Sequence, residues 1–301
     1  MSRALPALEE GVPLARLTTI GTGGPARYLA RPSSDEELGR ALGFAWARGL
    51  AVVTVGLGSN LLVADAGFDG LVLRLEGGLA RVDVDADGAA ITAGGGASWA
   101  VCLHRARTAG LGGLEFACAI PGTVGGGVWM NAGAYGRDTR AVLRRALVVD
   151  GSGARWHGPD ELGMTYRHSE LRHGQVVALA ELALTSRPPE EIRAHVRELN
   201  AARKAAQPVN RRTFGSVFKN PEHELTAGRM LDACGLRGFR HGGAQISPKH
   251  ANFIENADGA TTADAIALIV EARRRAHERF GVVLTTEVEL LGDVEIPPLG
   301  A

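Results

Sequence analysis

The sequence predicts an α+β protein in which two α+β units flank a strand-rich middle. Three observations carry this. Apolar alternation and helical spacing interchange along the 301 residues without settling into a strict βαβ repeat. Strand patterns dominate from Val82 to Leu184. Pro188–Pro189 then marks a boundary, and the amphipathic run Glu190–Ala206 leads into a third region.

In the first region Ala26–Ala30 reads as a short strand. Ser33 or Ser34 caps a helix running through Trp46, with Asp35, Glu36 and Glu37 where the helix dipole favours negative charge. Gly49 closes it, and Ala51–Val55, Leu61–Val63 and Leu71–Leu75 follow as strands, a β-α-β-β unit. In the middle, Val82–Val84 and Ala89–Ala93 pair across the Asp-Ala-Asp-Gly turn at 85–88, and Ser98 caps a helix over about 99–109 that Gly110 ends. Past a long glycine-rich stretch come strands at Ala146–Val149, Ala154–Trp156 and Val176–Leu184. In the third region, helices near 226–234 and 262–279 alternate with strands at Gln245–Ile246, Asn252–Ile254 and Val282–Leu291. The expected domains are 1–75, 76–188 and 189–301.

Composition excludes several classes. Lys+Arg 33 against Asp+Glu 33 leaves no basic excess for general polyanion binding. The 45% hydrophobic and 22% charged fractions exclude a disordered chain. The 41 glycines are close to twice the average share of roughly 7%. They follow no Gly-X-Y period and cluster at 21–24, 56–58, 94–96, 110–113 and 122–127, where backbone must turn tightly or approach a ligand closely. The first residues have no apolar core and carry Glu9 and Glu10, unlike a secretory signal. The apolar run Phe116–Met130 is broken by Pro121 and glycines and is shorter than the ~20 residues of a spanning helix. Cys102, Cys118 and Cys234 show no metal-ligand spacing and read as buried thiols of a reducing cytosol.

Six stretches have the composition of ligand or reaction sites. Gly21-Thr-Gly-Gly-Pro-Ala26 fits G-x-G-x-x-A formally, but Pro25 and the extended residues after it deny the helix a dinucleotide fingerprint needs. Val55-Gly-Leu-Gly-Ser-Asn-Leu-Leu62 places two glycines, Ser59 and Asn60 at a strand end, either a nest of N–H groups for phosphate oxygens or a plain turn. Ala119–Gly136 joins permissive backbone to the isolated polar groups Thr123 and Asn131. Without a Walker lysine it suits a partly apolar ligand with a pyrophosphate held by amides; a close Gly/Ala packing contact is the alternative. Thr165–Glu170 contains Arg167, by itself an ordinary surface cation. Thr213-Phe-Gly-Ser-Val-Phe-Lys-Asn-Pro221 sets Ser216, Lys219 and Asn220 around two aromatics without a hydrolase elbow. In Thr285–Leu291, strand alternation puts Glu287 and Glu289 on one face, a ligand face or a solvated one.

Together the runs VGLGSNLLV, LEFACAIPGTVGGGVWMNAGAYG, MTYRHSEL, GSVFKNP, AGRMLDACGL, GGAQISPKHANFIEN and TEVELLG resemble the UDP-N-acetylenolpyruvoylglucosamine reductase family, in family order from about residue 17 to 293. The resemblance implies an FAD-binding module of the vanillyl-alcohol-oxidase (PCMH) type in two subdomains, then a C-terminal α+β substrate domain. It implies non-covalent FAD, NADPH as co-substrate, and reduction of an enolpyruvyl sugar nucleotide to UDP-N-acetylmuramate for peptidoglycan. By the same comparison Ser216 is the proton donor, with Arg167 and Glu287 completing the catalytic set. FAD falls to Gly56, Gly58, Ser59, Asn60 and Leu61 of one run, and to Pro121, Gly122, Thr123, Gly125, Gly126, Asn131, Ala132 and Gly133 of the other. Tyr166, Lys219, Asn220, Gln245 and His250 would face the sugar nucleotide. A cytoplasmic enzyme follows, favoured as a monomer, without metal, nucleic-acid or membrane partners. The chain departs from the family at Leu17–Gly24 and at Leu171, and the stretch between Arg167 and Ser216 resembles the family's shorter form, without a tyrosine-bearing loop.

Overall fold

The computed structural model describes residues 7–299. They form two compact units. One comprises the described residues up to Glu10, Tyr28–Leu57 and Gly70–Arg203; the other comprises Gly11–Arg27, Gly58–Asp69 and the chain from Lys204 onward.

In the first unit Ser34 is the residue that caps the helix Asp35–Trp46. Its side chain accepts from Glu37 N–H, while the Glu37 carboxylate accepts from the Ser33 amide and hydroxyl at 2.7 Å. Leu38, Ala41, Leu42 and Ala45 make the buried stripe, packed with Val52, Leu71 and Leu73. Ala51–Thr54 runs parallel to the Gly70–Leu73 part of the strand Phe68–Leu73, which starts three residues earlier than Leu71–Leu75 suggested. A five-stranded antiparallel sheet follows, in the order Gly153–His157, Leu143–Asp150, Val176–Ala183, Ala90–Gly94 and Val82–Asp85. The hairpin at its edge closes through Ala89 at φ +45°. The helix Trp99–Thr108, capped by Ser98, buries Trp99, Cys102, Leu103 and Ala106 in this unit's core.

The glycine-rich stretch is more ordered than its composition implies. Val124–Trp129 is a short helix, and the Thr123 hydroxyl accepts from Gly126 N–H at its start. Helix formation through three glycines is intrinsically unfavourable, so tertiary contacts must supply it. Gly125 N–H donates to Gly95 O at 2.8 Å, and a Cβ at Gly127 would lie 2.5 Å from the Trp99 ring.

A nearly buried ion pair ties the residues before this stretch to the start of the long helix Pro189–Ala206. Glu115, 4% exposed, accepts from Arg187 Nη1 at 2.9 Å and from Gly113 N–H at 2.7 Å. Glu115→Ala leaves both donors without their carboxylate. Because Arg187 is partly solvated, we expect a loss of about 2–3 kcal/mol rather than the larger cost of a fully buried pair. Urea unfolding checks this; a change under 0.5 kcal/mol would assign the pair no structural weight.

In the second unit an antiparallel sheet runs in the order Thr213–Ser216, Phe253–Asn256, Ala244–Ile246, Arg240–His241. Phe214, Ile246 and Ile254 pack on the helices Ala227–Ala233 and Thr262–Phe280. The longer helix has a Thr261/Asp264 capping box and ends at Gly281, φ +68°. Asp65 accepts from Thr262 and Ala263 N–H at 2.8 and 3.0 Å, anchoring the early segment Gly58–Asp69 to the same helix.

The expected strand Val282–Leu291 needs correction. Only Glu289–Leu291 is a strand, and it pairs in parallel with Leu61–Val63. Leu284, Val288 and Leu291 are the buried positions, a spacing that breaks strict alternation. Glu287 therefore lies outside the strand that holds Glu289, and the two do not share a strand face. The strand Leu8–Pro13 had no counterpart in the sequence reading.

Candidate active site

In the first unit a cavity of about 250 Å³ opens beside the end of the strand Ala51–Thr54. Gly56, Gly77, Gly95 and Gly96 line it together with apolar residues such as Val55 and Leu75, and Thr54, Thr123, Arg74 and Glu76 are its polar residues. The glycines are required by packing. A Cβ would lie 2.4 Å from Thr123 Oγ1 at Gly56, 1.8 Å from Val177 O at Gly95 and 2.2 Å from Leu75 O at Gly96. At these three positions the lining is bare peptide, a surface suited to phosphate oxygens. Glu76 is engaged by Arg31 at 2.8 Å and by Arg74 at 3.6 Å.

The same unit holds Arg167 at the tip of a tight turn closed by reciprocal Thr165–His168 backbone bonds, with φ +52°. Positive φ is uncommon for a side-chain-bearing residue, and such strain clusters at functional sites. The guanidinium donates to Gly133 O at 2.5 Å and Asn131 O at 3.5 Å, and it lies 5.1 Å from the ring centre of the exposed Tyr166. Ser169 Oγ donates to Trp129 O, fixing the base of the turn.

The second unit brings together residues far apart in the chain. Gly58, at φ +61°, packs so closely on Leu17 that a Cβ would lie 2.0 Å from its carbonyl oxygen. Thr19 Oγ1 donates to Thr213 O at 2.6 Å. Gly215, φ +84°, sits at an irregularity between Thr213 and Ser216, and its Cβ position is 3.3 Å from Ser59 O. Beyond Ser216, residues 217–219 run antiparallel to 285–287. Glu287 N–H donates to Val217 O at 2.8 Å, Lys219 N–H to Thr285 O at 2.9 Å, and Phe218 bridges Thr286. Asn60 joins this ladder, donating through Nδ2 to Glu287 O at 2.9 Å and accepting from Glu289 N–H at 3.0 Å. Ser216 is half-buried, and its Oγ has no hydrogen-bond partner among the described residues.

These findings bear on the residues singled out from sequence. Gly56 and Thr123 line the cavity, whereas Gly58, Ser59, Asn60 and Leu61 belong to the second unit. Pro121 and Gly126 are exposed, Gly122 O accepts from Trp99 N–H, and Gly125 packs on Gly95. Asn131, 1% exposed, spends its side chain internally: Nδ2 donates to Asp138 and Thr165 O, and Oδ1 accepts from Arg140 N–H. Ala132 and Gly133 follow it, and Gly133 supplies the carbonyl that Arg167 grips. Asn220 Oδ1 accepts from Ala227 N–H, and Gln245 donates to Gly238 O. His250 accepts from Asn252 N–H; burial first, then the positive Arg237, hold its pKa below the usual imidazole value, so it is neutral near pH 7.

Sequence reasoning missed Asn252, 4% exposed, which bonds both backbone groups of Phe218. Its signal is an amide inside the apolar run Ala251–Ile254. Cys102 is fully buried and its thiol is pushed up to about 12 by desolvation; Cys118 and Cys234 are only half-buried and also raised, so none is activated as a nucleophile. Among the described residues no group of His, Cys, Asp and Glu has metal-site geometry.

Comparison with known proteins decides the family. Residues 26–157 match the profile described as FAD binding domain, and residues 207–291 match that of the UDP-N-acetylenolpyruvoylglucosamine reductase C-terminal domain. UDP-N-acetylenolpyruvoylglucosamine reductase 2 of Symbiobacterium thermophilum is 44% identical over 283 residues, covering 93% of this chain and 91% of the relative. The chain belongs to the UDP-N-acetylenolpyruvoylglucosamine reductase family. The reductase of Acidiphilium cryptum is 45% identical, covering 93% and 90%. The crystal structure of the reductase from Thermus caldophilus superposes with a TM-score of 0.82 at 37% identity, over 95% of this chain and all of that one.

As a member of the reductase family, the chain is an FAD-dependent oxidoreductase of α+β fold, with a PCMH-type FAD-binding module. The residues present fit that cofactor. The cavity offers the backbone of four glycines, Thr54, Thr123 and the cation Arg74, with the charge of Glu76 met by Arg31 and Arg74, a lining that fits a diphosphate. Its volume falls below the ~300–1,000 Å³ of pockets for drug-sized ligands, room for only part of a dinucleotide.

Proposed function

We propose that the chain catalyses NADPH-dependent, FAD-mediated reduction of the enolpyruvyl group of UDP-N-acetylglucosamine enolpyruvate, yielding UDP-N-acetylmuramate for peptidoglycan synthesis. The names of the relatives support the substrate, and the match over 26–157 supports FAD. The observation that carries the reading is the pairing of residues 217–219 with 285–287. It holds Ser216 one residue from the carbonyl that receives Glu287 N–H.

Adding hydride to the terminal vinyl carbon builds negative charge on the neighbouring carbon and the carboxylate conjugated to it. When bound and reduced by NADPH, the flavin would supply that hydride and return to its oxidised form. Ser216 gives the proton: its O–H bond breaks as a C–H bond forms at the carbon beside the carboxylate. A hydroxyl without an internal partner is able to do this, and positioned proton transfer contributes about 10²–10⁴-fold. Arg167, which donates to Gly133 O and Asn131 O, receives the substrate carboxylate with two parallel hydrogen bonds and stabilises the enolate charge. Glu287 is the third catalytic group. Gly56 and Thr123 hold the FAD diphosphate, with Gly58–Leu61 and 121–133 as further cofactor backbone. Tyr166, Lys219, Asn220, Gln245 and His250 contact the sugar nucleotide.

In this reading 1–75 and 76–188 are the FAD-binding subdomains and 189–301 the substrate domain; the two matched profiles, over 26–157 and 207–291, fall on either side of the 188/189 boundary. The enzyme acts as a cytoplasmic monomer on soluble nucleotides. Among the described residues no helix is long and apolar enough to cross a membrane.

The visible spectrum before and after denaturation, with NADPH oxidation followed in the presence and absence of the enolpyruvyl sugar nucleotide, tests the proposal. We expect a flavin spectrum, release of intact FAD, and NADPH oxidation that depends on the sugar nucleotide. Protein that stays colourless after FAD is added, or oxidation indifferent to the sugar nucleotide, would overturn it.

A further inference from the structure

The buried side chain of Asn252 lies beyond the roles assigned above, and its bonding is unusual. Oδ1 accepts from Phe218 N–H at 3.0 Å and Nδ2 donates to Phe218 O at 2.9 Å, while the Asn252 carbonyl accepts from Val217 N–H at 2.9 Å. One asparagine thus does for residues 217–218 what a neighbouring strand does elsewhere. Regular pairing of Thr213–Ser216 with Phe253–Asn256 ends at Ser216↔Phe253, after the irregularity at Gly215. Beyond that point the chain would have unpaired peptide groups in a buried region, where Val217 and Phe218 are each 1% exposed. The amide fills the gap from one side while Thr285–Glu287 fills it from the other.

We propose that Asn252 is a positioning residue for proton delivery: its side-chain amide fixes residues 217–218, and through them the placement of Ser216 relative to Glu287. The inference rests on the reading of Ser216 as the proton donor. Both Asn252 functions are needed, since Phe218 presents a donor and an acceptor at once. An apolar replacement strands two buried peptide groups. A carboxylate keeps the acceptor for Phe218 N–H but turns a negative oxygen toward Phe218 O.

That difference provides a test separate from general stability. Asn252→Asp is nearly isosteric, and its protonated form restores the missing donor. Burial raises the pKa of an introduced carboxyl, so the defect should shrink as pH falls. Stopped-flow measurement of both half-reactions from pH 5 to 8, with each variant compared with the parent protein at each pH, reads this directly. For Asn252→Asp we expect reoxidation by the enolpyruvyl sugar nucleotide to be slowed about 10²-fold at pH 8 and to recover to within about fivefold at pH 5, while flavin reduction by NADPH stays near normal. Asn252→Ser, which keeps a donor and an acceptor on a shorter side chain, is the second variant should the carboxylate unfold the protein. It should slow reoxidation about 10-fold at every pH. Reoxidation within twofold of the parent in both variants would overturn the proposal, as would equal, pH-independent loss in both half-reactions. Ser216→Ala measured alongside separates the two ideas. If it reoxidises normally, the proton-donor reading fails and this inference fails with it; if it is slow while the Asn252 variants are normal, only this inference fails.

Discussion

Ser216→Ala slows reoxidation of the reduced flavin by the enolpyruvyl sugar nucleotide by about 10²–10⁴-fold, and it leaves flavin reduction by NADPH near the parent rate. The asymmetry follows from the chemistry. Hydride transfer from NADPH needs no proton at the substrate carbon, whereas completing the reduction of the vinyl group does. The substitution removes one oxygen from a half-buried position whose hydroxyl has no hydrogen-bond partner among the described residues, so no native bond is broken. Phe214, Val217 and Phe218 keep their packing around it. Stopped-flow absorbance at the flavin maximum separates the half-reactions, and equal slowing of both would remove Ser216 from the role of proton donor.

Arg167→Ala lowers kcat/KM for the sugar nucleotide by about 10²–10³-fold, the range found when one charge-stabilising donor is taken from a developing oxyanion. Arg167→Lys recovers only part of this. An ammonium keeps the charge but lacks the planar fork that meets a carboxylate with two parallel bonds. Arg167 also grips Gly133 O and Asn131 O, so some loss of local order accompanies the alanine change. The lysine variant, with the thermal midpoint and the NADPH half-reaction measured beside it, separates these effects. If kcat/KM for the lysine variant equals that of the parent, bidentate recognition by Arg167 is wrong.

Much of the architecture was legible without coordinates because its causes are local. Ser34 and Ser98 start helices by accepting from amides three residues on, and both caps are visible as serines before apolar periodicity. The hairpin across residues 86–89 follows from Asp-Ala-Asp-Gly between two alternating runs. The strand Val176–Ala183 is apolar at every position but Glu181, which pairs with Arg145 on the neighbouring strand, as suits a central strand of the sheet. Two of the glycine clusters coincide with close packing, since only residues without Cβ tolerate the approaches found at Gly56, Gly95 and Gly96.

Other features depended on groups distant in the chain. The helix Val124–Trp129 exists despite its glycines because Gly95 and Trp99 receive them. The motif at 56–61 reads as one loop, yet Gly56 faces a cavity in one unit while Asn60 pairs with the backbone at Glu287 and Glu289 in the other. The expected strand at 282–291 shortened to Glu289–Leu291 because Leu284, Val288 and Leu291 are claimed by the core in irregular steps. Asn131 and Asn252 look alike in sequence as lone polar residues among apolar ones. One stitches its own loop to Asp138 and Thr165, and the other stands in for a strand beside Ser216.

Caps, turns and the alternation of apolar residues are set by neighbours along the chain, so the sequence by itself determined most element types and the chemical inventory of Ser216, Arg167 and Glu287, though not the helix Val124–Trp129 or the extent of the strand before Leu291. Which backbone each of those residues meets was decided by the tertiary structure. Pairing partners such as Val217 and Glu287 are separated by long stretches of chain, and their register depends on satisfying every buried peptide group and filling the core at once, a collective condition that no short motif encodes.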